Sequence, residues 1–234
     1  MRQLPRPGSV DLFVMRDISR TASSLVISDA EERAVARYAT PELALRARGA
    51  RGLMRLVASE YLDCPPIDVP IAPAPCIHCG EPHGKPVIDG SRVQINLSHT
   101  GDTILIGISS LPVGVDIESD RGGDWAALSR RFYSAAEAEW VSEAGPTEAV
   151  DRFLRLWVRK EAVLKATSEG LPGGLEGVPV IGPTPLTVTR SLGSEPSRWT
   201  VTDVDPATVP FAAVALAGEA CELRVLSLAD LRPR

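Results

Sequence analysis

The chain has 234 residues with 25 Lys and Arg against 30 Asp and Glu, a formal net charge of −5, which excludes a nucleic-acid binder working through bulk positive charge. Its apolar fraction of 44 % is that of an ordinary globular protein, and the length admits one large domain or two halves. No apolar run approaches the roughly 18 residues of a membrane span, and Met1-Arg2-Gln3-Leu4-Pro5-Arg6-Pro7-Gly8 lacks the apolar stretch of a secretory signal. The expected compartment is the cytoplasm, with no membrane and no nucleic acid among the partners.

A strand is expected first, over 10–18. Ser28 is placed to cap a helix over 29–38, whose first turn carries Asp29, Glu31 and Glu32 at the positive end of the helix dipole. Thr40 followed by Pro41 starts a second helix that runs to about Tyr61, since proline at the first helical position gives up no hydrogen bond. From Pro65 to Pro86 the composition turns to Pro, Gly, Cys and His, a long irregular stretch of the kind that often carries function. It contains Cys76-Ile77-His78-Cys79, with His83 close by. A zinc site takes about four ligands, usually from two such knuckles. The second knuckle is missing, which favours a Gly-rich turn with reduced thiols over a structural zinc. With Cys64 and Cys221 the cysteines number four, too sparse for a disulfide scaffold.

Three short strands are expected over 93–98, 103–109 and 113–118, the first two joined by a hairpin turn at Gly101-Asp102. Ser134 and Glu137 form a capping box for a helix ending near Ala144. A longer helix covers 148–167, Gly170 to Gly177 is a Gly-rich turn, and 186–227 reads as several antiparallel strands. Each half thus combines helices with antiparallel strands, which gives an α+β fold.

Chemistry concentrates in four places. In Gly114-Val115-Asp116-Ile117-Glu118 a strand puts Val113, Val115 and Ile117 on one face and Asp116 and Glu118 on the other. Two close carboxylates repel unless a cation lies between them, and Mg²⁺ is bound by such carboxylates together with substrate phosphates; a solvated acidic face fits the same pattern. On the long helix, Val150, Phe153, Leu154, Trp157 and Leu164 mark the apolar side, and Glu161 falls among them. An inward carboxylate is costly unless it is paired or metal-bound. Lys165, four residues on, reaches the same region, and an ordinary Glu–Lys helix pair is the plainer alternative. Asn96-Leu97-Ser98-His99-Thr100 ends a strand with donors suited to a phosphate or to a capped turn. In Gly84-Lys85-Pro86 the lysine is displayed on a locally fixed loop, as a phosphate contact or a solvated turn residue. No P-loop, dinucleotide-binding or nucleophile-elbow motif occurs.

Taken in order, Gly114–Glu118 and Trp157-Val158-Arg159-Lys160-Glu161-Ala162-Val163-Leu164-Lys165-Ala166 resemble the signature of the 4′-phosphopantetheinyl transferase superfamily. His83-Gly84-Lys85-Pro86, Asn96-Leu97-Ser98-His99 and the chain length resemble its longer, surfactin-synthetase-activator (Sfp) type. The resemblance spans about residues 28 to 182. It implies two similar α/β lobes, 1–110 and 111–234, forming a pseudo-dimeric monomer, each lobe with an antiparallel sheet packed against helices. It implies transfer of phosphopantetheine from coenzyme A to a serine of an apo acyl or peptidyl carrier protein of fatty-acid, polyketide or nonribosomal-peptide synthesis. By the same resemblance Asp116, Glu118 and Glu161 hold Mg²⁺ or Mn²⁺, Glu161 is also the general base, and Lys165 stands near the pyrophosphate. Lys85, Ser98 and His99 contact phosphates of coenzyme A, Lys160 joins these contacts, and Arg46 lies near the adenosine 3′-phosphate. Members often carry basic residues just before that helix. Here Ala39-Thr40-Pro41 stands there, which shifts the 3′-phosphate onto Arg46 and Arg48. Competing readings are a non-catalytic coenzyme A or carrier-protein binding module, a zinc-stabilised scaffold, and hydrolysis of a pyrophosphate by the same carboxylates.

Overall fold

A computed structural model describes residues 2–75, 77, 79–81, 84–192, 195–228 and 231. The first lobe is built on β1 (Ser9–Met15), β4 (Gln94–Thr100) and β5 (Thr103–Ser109). β5 runs antiparallel to both β1 and β4. Against this sheet lies the 22-residue α3 (Pro41–Leu62), with α1 (Ile18–Thr21) and α2 (Asp29–Val35) packed on that helix. The capping signals act as read: Ser28 and Glu31 form a capping box, and the Thr40 side chain accepts from Leu43 N–H. Leu53, Val57 and Tyr61 of α3 bury against Phe13, Ile95, Ile104 and Ile106 of the sheet.

The second lobe contains β6 (Val113–Glu118), α4 (Trp125–Phe132), α5 (Ala135–Ser142), α6 (Pro146–Thr167), β7 (Leu186–Leu192), β8 (Glu195–Asp203) and β9 (Phe211–Ala217). Its strands lie in the order β6-β9-β8-β7, every pair antiparallel. α6, again 22 residues, buries Leu154, Val158, Ala162 and Val163 with Val201, Ala213 and Ala215 of that sheet. In both lobes the first strand pairs with the last, the last pairs with the one before it, and a long helix lies between them. This is the repeated α+β pattern. A third apolar cluster joins the lobes: Val10, Leu12 and Leu105 pack on Val113, Val115, Ile117, Val214 and Leu216.

Several details differ from the sequence reading. The first strand stops at Met15 and α2 at Val35. The stretch from 65 to 86 is not wholly irregular, since it holds a 3₁₀ turn at Pro66–Asp68 and β2 (Ile71–Pro73) paired with β3 (Pro86–Ile88). α4 has no counterpart among the expected helices. The lobe expected over 111–234 does not keep its tail: β10 (Glu222–Leu226) crosses back and pairs parallel with β1. Arg224 holds it there through hydrogen bonds of 2.7 and 2.8 Å to Asp11, which also accepts from Tyr61 Oη at 2.6 Å. Cys76, His78 and His83 lie outside the described residues, and with them the zinc-or-turn question. Among the described residues no helix is long and apolar enough to cross a membrane.

Candidate active site

The site is assembled where β6 meets α6. Val113, Val115 and Ile117 point into the inter-lobe core, so Gly114, Asp116 and Glu118 point the other way, toward α6. A Cβ on Gly114 would stand 2.0 Å from Ala162 O and 2.4 Å from Ala166 N. Strand and helix backbones therefore touch, which only glycine permits here, with small alanines on the facing helix. Glu161 and Lys165 each precede one of those alanines and are thereby carried to Asp116. Lys165 Nζ donates to Asp116 Oδ1 at 2.6 Å and to Ser98 Oγ at 2.8 Å, and Ser98 Oγ donates to Asp116 Oδ1 at 2.7 Å. Ser98 comes from β4, in the other lobe. Asn96, two residues earlier on β4, accepts from Val115 N–H at 2.9 Å and fixes β4 beside β6. Glu118 faces Thr100 Oγ1 at 3.4 Å and Arg121 at 3.4 Å.

Three carboxylates in this setting cannot all ionise at ordinary cost. Burial, then Asp116, pushes the Glu161 carboxyl up to about 7, with Lys165 opposing and Glu118 adding to the rise. Glu118 is raised for the same reasons, burial first and Asp116 second. Asp116 Oδ2 and Glu161 Oε1 are buried without a hydrogen-bond partner, an arrangement that costs stability unless a cation completes it. The donors are all oxygen, the set that hard cations such as Mg²⁺ and Mn²⁺ take. Among the described residues no three His, Cys, Asp or Glu side chains already converge on one metal position; the Lys165 ammonium stands beside Asp116 instead.

A cavity of about 1240 Å³ opens next to this cluster, between α2, α3, the β2–β3 hairpin and β4. Arg37, Arg46, Arg51, His99 and Arg121 line it, and Ser119 and Arg121 lead from it to Glu118. Arg46 meets Asp102 only at 3.7 Å, and the Arg51 guanidinium lies 6.0 Å from the Tyr38 ring centroid. Arg55, also at the wall, is neutralised by Glu31 at 2.7 Å. His99 is held below the ordinary imidazole value, chiefly by burial and then by Lys165, Arg121 and Arg46. A concave, mostly apolar-walled space with this excess of cations suits a polyanionic ligand.

The structure thus brings Ser98, Asp116, Glu118, Glu161 and Lys165 together, and places Arg46 and His99 in the adjoining cavity. Lys85 reaches across the lobe interface, its Nζ donating to Ala166 O of α6 at 3.0 Å. Two expectations are corrected. Lys160 has a fully buried side chain, and its Nζ donates to Glu137 at 2.8 Å, Leu175 O at 2.9 Å and Val178 O at 2.6 Å. All three donors are used, so it is a structural post and not a coenzyme contact. Arg48 is likewise committed, to Glu32, Ala22 O and Leu25 O. Arg37, Arg51 and Arg121 line the cavity without being among the residues expected from the sequence. A run of arginines in an otherwise acidic chain was the available sign, but helix register alone does not say which of them face the cavity.

The fold and site define a two-lobed α+β protein presenting a carboxylate cluster to a cationic cavity. A family model described as the 4′-phosphopantetheinyl transferase superfamily matches residues 112–214. The chain is 30 % identical over 212 residues to the 4′-phosphopantetheinyl transferase HetI of Nostoc sp., covering 87 % of this chain and 82 % of that protein. It is 32 % identical over 166 residues to AcpT of Salmonella typhimurium, 70 % of each chain. To Sfp of Bacillus subtilis it is 32 % identical over 90 residues, 38 % of this chain and 40 % of that one. The chain belongs to the 4′-phosphopantetheinyl transferase superfamily.

Proposed function

We propose that this enzyme transfers the 4′-phosphopantetheine group of coenzyme A to a serine hydroxyl of an apo acyl or peptidyl carrier protein, releasing adenosine 3′,5′-bisphosphate, with Mg²⁺ or Mn²⁺ held by Asp116, Glu118 and Glu161. The observation that carries the metal assignment is the pair of buried carboxylate oxygens without partners, Asp116 Oδ2 and Glu161 Oε1, beside a cationic cavity. A bound ion there supplies neutralisation of the pyrophosphate charge that grows in the transition state.

The chain's own groups have distinct tasks. Arg46, with Arg37 and Arg51, binds the adenosine 3′-phosphate, and His99, Ser98 and Lys85 serve the remaining phosphates. Glu161, whose carboxyl burial and Asp116 raise in the metal-free protein, stands beside Asp116 where it can accept the serine proton, directly or through a water. Lys165, beside Asp116 and Ser98, donates to the leaving bisphosphate. Because Ser98 comes from one lobe and Asp116 and Glu161 from the other, a single chain supplies the whole site, which supports a monomer. The test is transfer to an apo carrier with Mg²⁺ and with excess chelator, for the parent and Asp116→Ala. Undiminished transfer in chelator contradicts the metal assignment.

A further inference from the structure

The acidic cluster brings its own counter-ions. Lys165 Nζ sits 2.6 Å from Asp116 Oδ1, and Arg121 sits 3.4 Å from Glu118 Oε2 and 3.1 Å from Thr100 Oγ1. Both cations are open to solvent on one side. The Lys165 side chain is 27 % exposed and that of Arg121 65 %, and Arg121 also lines the phosphate cavity. By contrast Asp116 Oδ2 and Glu161 Oε1 are buried without partners. One side of the cluster is therefore already neutralised by ammonium and guanidinium, while the other still lacks a cation.

This arrangement sets the terms on which a metal can enter. A divalent cation arriving alone at Asp116 meets an ammonium on the same carboxylate and is repelled by it. A diphosphate arriving alone meets three carboxylates. Arriving together, the two exchange partners with the protein: the metal takes the carboxylates, and Lys165 and Arg121 turn to the phosphates.

We propose that Lys165 and Arg121 are resident counter-ions that make binding of the divalent metal and of the coenzyme A diphosphate mutually dependent, so that the apo site admits the bare metal weakly and admits it tightly with coenzyme A. This rests on the reading of coenzyme A as substrate. It adds a role to Lys165 in the free enzyme, before any chemistry. Such coupling is reciprocal: the factor by which coenzyme A tightens metal equals the factor by which metal tightens coenzyme A.

The experiment measures Mn²⁺ binding to the full chain, without carrier protein, by calorimetry or by the resonance signal of free Mn²⁺. Titrations are run with and without coenzyme A and corrected for Mn²⁺ bound to coenzyme A in protein-free controls. The parent is expected to bind Mn²⁺ about tenfold or more tighter with coenzyme A present. Lys165→Met keeps length and removes charge; it is expected to bind Mn²⁺ alone several-fold tighter than the parent, with smaller coupling. Arg121→Gln, at an exposed position, is expected to shift in the same direction by less, and it keeps the test open should Lys165→Met not fold. Overturning results are a folded Lys165→Met, or failing that Arg121→Gln, that binds Mn²⁺ alone no tighter than the parent, or a parent whose Mn²⁺ affinity ignores coenzyme A. A parent that shows the coupling but modifies no carrier refutes the transfer reading and supports this one. A parent that modifies carriers without coupling does the reverse.

Discussion

A single methyl group at position 114 tests the contact that assembles the site. In Gly114→Ala the new Cβ stands 2.0 Å from Ala162 O, 2.4 Å from Ala166 N and 3.0 Å from Ala166 Cα, where ordinary contact begins near 3.4 Å. All three obstacles are helix backbone, so no rotamer change relieves the clash, and α6 must retreat by roughly 1.4 Å in a close-packed interior. Overpacking of this kind costs about 1–3 kcal/mol, occasionally more, which lowers Tm by about 2–4 °C per kcal/mol in a chain of this size. The retreat also lifts Glu161 and Lys165 away from Asp116. A displacement of about 1 Å among reacting groups can cost about 10²-fold in rate. Coenzyme A affinity measured without divalent metal is expected to hold within a few-fold, because Arg46, Arg51 and His99 sit on α3 and β4. Thermal denaturation, coenzyme A calorimetry and single-turnover transfer read the three effects separately. A variant with unchanged Tm and transfer within twofold of the parent refutes the strand–helix contact as the element that builds the site.

Glu161→Gln keeps shape but removes charge and basicity: coenzyme A should still bind, while single-turnover transfer falls by about 10²–10⁴-fold. Its apo stability should also lose a pH dependence. Because the folded-state carboxyl is raised to about 7 from 4.5, the folded parent holds an extra proton between those values, and stability falls as pH rises through that window. At pH 8 without metal the variant should thus be more stable than the parent, by roughly 1–3 kcal/mol after allowance for solvent screening; equal urea midpoints at pH 8 would show otherwise. Arg46→Ala and Arg51→Ala should each weaken coenzyme A by about 10–100-fold and dephospho-coenzyme A far less, measured by calorimetry, whereas equal losses for both ligands remove the 3′-phosphate role. Lys160→Met leaves Glu137 buried without its ammonium and should cost about 3–5 kcal/mol of stability in chemical denaturation. A stable Lys160→Met protein that loses coenzyme A affinity would return Lys160 to the cavity.

Local codes made much of this fold readable. Thr40-Pro41, the Ser28–Glu31 and Ser134–Glu137 boxes and the alternation in β6 depend on neighbours a few residues away, and the elements stand close to where those residues put them. The inward placement of Glu161 was legible for the same reason, since helix periodicity alone puts it with Trp157 and Leu164. What was not legible depends on partners far along the chain. β10 pairs with β1 through Arg224 and Asp11, separated by 213 positions, and nothing in 222–226 marks it as leaving its lobe. Lys160 and Arg48 look like the other cations of their helices; only the carbonyls of Leu175, Val178, Ala22 and Leu25 show that their donors are used. Conversely, Arg37 and Arg51 gain meaning only once α2 and α3 frame a cavity.

The most direct measurement is the intact mass of several apo acyl and peptidyl carrier proteins after incubation with this enzyme, coenzyme A and Mg²⁺. At least one carrier should gain the mass of a single phosphopantetheine on its serine, and the gain should vanish with excess chelator or with Asp116→Ala. No gain on any carrier, or an equal gain in excess chelator, would contradict metal-dependent transfer at Asp116, Glu118 and Glu161.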